Sequence, residues 1–181
     1  MAWPLRYCPD CGAAMPAPIE RFFAQCSACG ARHWCNAKPC AGALLVRAGR
    51  LLLARRALPP RQGAWDIVGG FLEPDETPEA GALREVREET GLACRITRLI
   101  GLYPDSYGED GTYTLNIYFE AAAPDGEPRA QSDVAELRWF APDELPDDLA
   151  FPHEHVVLDH WRALRADVPA SPVAERDNRE L

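Results

Sequence analysis

The chain has 181 residues, 47% hydrophobic and 26% charged, which excludes a disordered or fibrous protein and fits one domain with roughly thirty to forty residues over. Twenty-eight acids against nineteen bases leave a net charge of −9, which argues against general attraction to a nucleic-acid backbone or an anionic membrane. No apolar run approaches the roughly 18 residues that span a bilayer. The first residues hold no apolar core of secretory length, so a cytoplasmic protein is expected.

Residues 1–40 contain six of the seven cysteines. Cys8-Pro-Asp-Cys11-Gly and Cys26-Ser-Ala-Cys29-Gly lie 14 residues apart. Each pair is a tight knuckle, and the glycine after it permits the turn that brings backbone amides toward the sulfurs. Two knuckles make a closed tetrahedral thiolate site, which suits structural Zn²⁺. A redox motif would need one pair and a βαβ context that is absent. His33 is left out because the ligand set is complete without it. Cys35, Cys40 and Cys94 have no partner spacing and read as small buried apolar residues. Four bases against two acids in this stretch are too few for a nucleic-acid footprint, so packing or dimerisation is the expected use of the module.

Residues 41–166 alternate strand and helix patterns. Gly42–Arg47 and Arg50–Arg55 read as a β-hairpin turning at Ala48-Gly49. Trp65–Val68 is a short strand ending at Gly69-Gly70. A helix follows to Thr90, with Thr77 as N-cap, Pro78 at its first position and Gly91 as C-cap. Arg95–Leu102, Thr112–Ala122 and Glu136–Phe140 read as strands. Pro152–Ala166 is a terminal helix whose apolar face is drawn from Val156, Val157, Leu158, Trp161 and Leu164. Residues 167–181 are polar and read as a flexible tail. The sum is an α/β domain behind a small cysteine module.

The segment from Gly70 to Leu92 holds seven acids in 23 residues. Glu85, Glu88 and Glu89 sit at i, i+3 and i+4, so their carboxylates share one helix face. Like charges at that spacing destabilise a helix unless a cation neutralises them, and clustered carboxylates suit Mg²⁺ or Mn²⁺ rather than zinc. Arg84 can orient the carboxylates, and Ala80, Leu83 and Val86 can anchor the helix to a sheet. Gly70 ends the strand where a backbone carbonyl can approach an ion. A cation site of this kind serves a substrate that brings its own negative charge, which points to phosphates. A merely solvated acidic helix would explain scattered glutamates but not this register.

The segment resembles the Nudix box, G-x5-E-x7-R-E-U-x-E-E-x-G-U with U aliphatic, and matches every fixed position. Gly63-Ala-Trp65-Asp-Ile-Val68-Gly69-Gly70 is similar to the strand that leads into that box, with Val68 where proline is common. The four-cysteine ribbon in front resembles the zinc-ribbon branch of the family. The resemblance implies an α/β/α sandwich with a mixed sheet and hydrolysis of a nucleoside diphosphate linked to another moiety. It implies that Glu85, Glu88 and Glu89 hold the divalent ions with the Gly70 carbonyl, that Arg84 holds the glutamates, and that Glu76 is a supporting acid. Glu120, Asp133 and Glu136 stand as candidate general bases beside Glu89 itself. The family also allows a homodimer.

The substrate stays open between several readings. The branch acting on NADH carries a proline-rich aromatic run after the box that this chain lacks, and Phe151-Pro152-His153 is only superficially similar. ADP-ribose or FAD is therefore favoured, with NADH or oxidised nucleoside triphosphates as alternatives. Tyr103 and Tyr107 are the leading candidates for stacking a base, with Tyr113 and Phe151 behind them. A non-catalytic nucleotide-sensing or nucleic-acid-binding module is the reading from a different class. The intact set of box acids and the net charge stand against it. His153, His155 and His160 share no single helix face and are assigned no metal.

Overall fold

The computed structural model describes residues 5–17, 22–108 and 111–166. The expected tail at 167–181 lies outside them. Near the N-terminus, β1 (Phe23–Gln25) and β2 (Arg32–Trp34) form a two-stranded antiparallel sheet between and beside the cysteine knuckles. The remaining strands join one mixed sheet of seven, and β3 (Lys38–Arg47) runs through it.

β3 pairs antiparallel with β4 (Arg50–Arg56) through the expected hairpin. Ala48 and Gly49 both adopt positive φ, at 48° and 79°, the turn geometry whose twist matches the two strands. Beyond β4 lie β5 (Trp65–Asp66) and β9 (Val134–Phe140), both antiparallel to it. Elsewhere β3 pairs antiparallel with β6 (Gly69–Phe71) and parallel with β8 (Thr112–Ala122). β7 (Arg95–Tyr107) closes the order on the far side of β8. The strand expected to stop at Leu102 continues five residues further, through Pro104. An edge position tolerates that proline, because its missing N–H faces away from the ladder.

Two helices cover the sheet from opposite sides. α1 (Pro78–Thr90) starts where Thr77 Oγ1 accepts from the Ala80 N–H at 3.2 Å. It ends at Gly91, whose left-handed backbone (φ 72°) lets its N–H reach the Arg87 carbonyl. Its buried apolar contacts are Ala82 and Val86, packed among Ala41, Ala43, Leu45, Leu52, Val68 and Phe119. The expected anchors are corrected in part: Ala80 is exposed and Leu83 only half-buried, because the face turned to the sheet runs through 82, 86 and 89. α2 (Pro152–Ala166) packs Val157, Leu158 and Trp161 against Leu44, Leu51, Leu53 and Phe140 on the other side. Val156 and Leu164, read as part of that apolar face, are exposed. The result is an α/β/α sandwich with a mixed sheet.

Candidate active site

α1 carries its acids in a graded environment. Glu88 is exposed, Glu85 half-buried and Glu89 buried at 7% exposure. Arg84 is the hub between them and the loop before the helix. Its Nε and Nη2 donate to the two oxygens of Glu76 at 2.7 and 2.9 Å. Its Nη1 donates to Glu85 at 2.7 Å and to Glu88 at 3.3 Å, and its Nη2 also reaches the Phe71 carbonyl at 3.1 Å. Glu76 in turn accepts from the Glu73 N–H, and these contacts hold its carboxyl down at about 2. Five donor hydrogens in a planar fork make Arg84 suited to this role.

The inner acids are opposite in behaviour. Burial pushes the Glu89 carboxyl up to about 9, and the carboxylates of Asp66, Asp133 and Glu85 add to that push against the opposing Arg56. Burial also raises Glu85, against the pull of Arg84, with Glu88 and Asp133 contributing. Four carboxyl groups thus crowd one corner of the molecule with Glu88 at its rim. Hard oxygen donors in such excess fit a divalent cation, which would remove the mutual repulsion. Gly70 lies against this corner: a Cβ there would stand 2.5 Å from a Glu85 oxygen. The close approach of backbone and carboxylate leaves no room for a Cβ at this position while Glu85 stands where it does.

The corner opens into a cavity of about 300 Å³ between the sheet and the start of α2. Glu85, Gly70, Asp66 and Asp133 line one end. Arg56 stands beside them, held by Asp66 at 2.6 Å and by the Pro60 carbonyl at 2.7 Å, with its guanidinium 5.4 Å from the Phe151 ring centre. The other end is lined by Tyr107, Phe151, His153, Asn116 and Tyr118. Tyr107 packs between Phe71 and Phe151 at centroid distances of 5.4 and 5.6 Å.

The candidates read from the sequence separate cleanly by place. Tyr107 and Asp133 reach the cavity. Tyr103 does not: it is buried in the core with its hydroxyl 2.8 Å from His160 Nδ1. Glu120 does not either, because Arg98 and Trp161 Nε1 bind its carboxylate at 3.0 and 2.8 Å on the α2 side. Glu136 points to Arg138 and Arg55 on the surface. Cys35, Cys40 and Cys94 are half-exposed rather than buried, and Cys40 lines the cavity. Sequence reasoning missed Arg56, Asp66, Asp105, Asn116, Tyr118 and His153. One signal was available: Thr114, Asn116 and Tyr118 alternate with Leu115, Ile117 and Phe119, a period of two that puts the polar groups on one face.

In the N-terminal module the thiols of Cys8, Cys11, Cys26 and Cys29 all lie within 4.8 Å of one another, compatible with a structural zinc site. Backbone amides of Cys29 and then Ala28 pull the Cys26 thiol down to about 7, whereas Cys29, against the pull of its backbone hydrogen bond at Ala31, is pushed up to about 12 by Cys11 and by burial, so without a cation the four thiols do not ionise together. His33, left aside in the sequence, sits with Nε2 3.4 Å from Cys8 Sγ and 3.8 Å from Asp10.

The mixed sheet, the flanking helices and the arginine-centred glutamate helix define a Nudix hydrolase: the NUDIX domain profile matches residues 37–160, and the chain belongs to that family. Among particular relatives, the chain is 33% identical to a protein named ADP-ribose pyrophosphatase from Methanocaldococcus jannaschii, over 66% of this chain and 70% of that one. It is 34% identical to the NAD-capped RNA hydrolase NudC of Stutzerimonas stutzeri over 78% of this chain, and there it spans only 50% of the relative's length. A crystal structure of a NUDIX hydrolase from Nitrosomonas europaea superimposes with a TM-score of 0.72 at 27% identity, covering 87% of this chain and 89% of that one. Among the described residues, no helix is long and apolar enough to cross a membrane.

Proposed function

We propose that the protein cleaves the diphosphate bond of a nucleoside diphosphate linked to a second moiety, with ADP-ribose the first substrate to consider and FAD a related one. The observation that carries this reading is one cavity with crowded carboxylates at one end and an aromatic, hydrogen-bonding wall at the other. Glu85, Glu88, Glu89 and the Gly70 carbonyl would hold Mg²⁺ or Mn²⁺. When bound, the ion would neutralise the diphosphate and activate water. Arg84, locked by Glu76, keeps Glu85 and Glu88 in place. Asp133, on the cavity wall facing Glu85 and Glu89, is the acid we assign to take a proton from the attacking water. Arg56 offers a guanidinium to a phosphate oxygen. Tyr107 and Phe151 supply faces for a planar ring. In this reading residues 1–40 are a zinc ribbon, 41–166 the catalytic domain and 167–181 a tail, in a cytoplasmic setting whose reduced thiols suit the zinc.

A second reading comes from the relatives named for NAD-capped RNA. It would place the same dinucleotide chemistry at the end of an RNA chain, so the net charge alone does not dismiss nucleic acid as a partner. NADH and nucleoside triphosphates complete the panel. The wild type is to be offered ADP-ribose, FAD, NADH, a nucleoside triphosphate and NAD-capped RNA with Mg²⁺ or Mn²⁺. Release of AMP from ADP-ribose, lost in Glu88→Gln and Glu89→Gln, supports the reading. No cleavage of any diphosphate, or glutamine variants at full rate, overturns it.

A further inference from the structure

We propose that the β8 wall of the cavity selects a base carrying an exocyclic amine, with Asn116 Oδ1 and Tyr118 Oη as the accepting atoms. The inference rests on the diphosphatase reading above and adds which base it takes and how.

Thr114, Asn116 and Tyr118 are alternate residues of one strand and all line the cavity. Asn116 is 7% exposed, and its orientation is fixed by its partners. Its Nδ2 donates to the Tyr103 carbonyl and to Thr114 Oγ1, both at 3.1 Å. A carbonyl can only accept, so the amide nitrogen must face it, and both amide hydrogens are used. Oδ1 has no partner among the described residues and remains an acceptor on the wall.

Tyr118 is set by a relay. Asp105 Oδ2 lies 2.5 Å from His153 Nδ1, and His153 Nε2 lies 2.9 Å from the Tyr118 hydroxyl. The carboxylate accepts, so Nδ1 carries the proton. In the neutral ring Nε2 then accepts and the Tyr118 hydroxyl donates to it, whereas an imidazolium would donate to Oη and free the hydroxyl hydrogen, so acceptance by Tyr118 Oη holds for the neutral ring. The oxygen keeps its lone pairs for a ligand. Gly42 makes room for this tyrosine: a Cβ at 42 would stand 2.7 Å from its ring. Two neighbouring rungs of the same face thus present acceptors.

Beside them are ring faces. Phe151 lies between Tyr107 and His153, at centroid distances of 5.6 and 6.0 Å with interplanar angles of 32° and 26°. Such surfaces suit a flat heterocycle. An exocyclic amine only donates, which matches acceptors of one sign. A carbonyl in the same place would meet two oxygens with no hydrogen between. A ribose hydroxyl both donates and accepts, and needs no such selectivity.

The test compares adenosine diphosphate ribose with its inosine counterpart, where a carbonyl replaces the amine, and with its 2′-deoxyadenosine counterpart. The wild type is expected to favour the adenine compound over the inosine one by about tenfold or more in kcat/KM, through KM rather than kcat. Tyr118→Phe, which keeps the ring, and Asn116→Ser are each expected to compress that ratio at least threefold, with melting temperature followed as the check on folding. Equal cleavage of the adenine and inosine compounds overturns base selection and leaves the diphosphatase reading standing. So does a preference lost with the 2′-hydroxyl instead, or an unchanged ratio in both folded variants. Cleavage of none of the compounds removes the diphosphatase reading and this inference with it.

Discussion

Arg84 grips Glu76 with two prongs, Nε to Oε1 at 2.7 Å and Nη2 to Oε2 at 2.9 Å, and its remaining Nη1 reaches Glu85 at 2.7 Å. Glu76 thereby fixes the guanidinium that fixes Glu85. The pairing has a pH signature. Glu76 is held down at about 2, below its ordinary value of 4.5. A depressed carboxyl contributes its stability above the unfolded value, and the contribution disappears as pH falls from about 4.5 toward 2. Glu76→Gln should therefore melt below the wild type at pH 6, with the gap closing as pH drops to 3. Thermal melts across that range check it, and a gap independent of pH counts against the pairing.

Gly70 leaves no room for a side chain. Its Cβ would meet the Glu85 carboxylate at 2.5 to 3.0 Å, the far end of a side chain rather than backbone. Gly70→Ala should then displace the carboxylate at modest cost to the fold. Activity on the preferred diphosphate is expected to fall at least tenfold, while the melting temperature moves by only about 2–4 °C, the scale of roughly 1 kcal/mol. Full activity in a folded variant would show that Glu85 need not stand where it does.

The helix that carries the site was readable because its signals are local. Thr77, Pro78 and Gly91 mark its ends, and the spacing of Arg84, Glu85, Glu88 and Glu89 fixes their shared face. The four-cysteine cluster was readable for the same reason, since each pair closes within its own Cys-x-x-Cys-Gly turn. The far wall of the cavity was not, because it is assembled by register. Asp105 meets His153 across 48 residues and Asn116 meets Tyr103 across a strand pair, and no spacing rule predicts either contact. The aromatic and acidic candidates failed to separate by type. Tyr103 and Tyr107 stand four residues apart on the same face of β7 and differ in what lies over them, His160 of α2 on the first and Phe151 just before α2 on the second, and Glu120 is claimed by Arg98 and Trp161 from elements distant in the chain.

Glu154 is a fully buried acid with a structural task. Its Oε1 accepts from the Ile67 N–H at 2.7 Å, and its Oε2 accepts from the Phe151 N–H at 3.0 Å. Burial raises its carboxyl far above the ordinary range, and Asp66 beside it adds to that. It ties the start of α2 to the segment after β5, and so to the cavity wall. Glu154→Gln offers one acceptor where two are needed, so one buried amide loses its partner. A loss of about 1–3 kcal/mol is expected. Glu154→Ala strands both amides and should cost more. Urea unfolding midpoints measure both, and a change within about 0.5 kcal/mol for Glu154→Gln would contradict the role given to the second oxygen.

The cysteine module offers a test that needs no substrate. Cys8 and Cys29 sulfurs lie 3.7 Å apart, as do those of Cys11 and Cys26. Four neutral thiols have little reason to converge so closely, whereas four thiolates around one cation do. Freshly purified protein is expected to hold about one zinc per chain. The β1–β2 sheet beside the knuckles has little apolar core of its own: Trp34 is 58% exposed and leans on Phe23 at 5.3 Å. Metal binding should therefore supply much of its folding free energy. Removing the zinc with a strong chelator under reducing conditions is expected to change the fluorescence of Trp34 and expose all four thiols to a thiol reagent. The main melting transition of the mixed-sheet domain should persist. Trp34→Phe serves as the control, since the fluorescence change should vanish in it. Protein isolated without zinc, yet with the four thiols protected, would rule the metal out as the organising element.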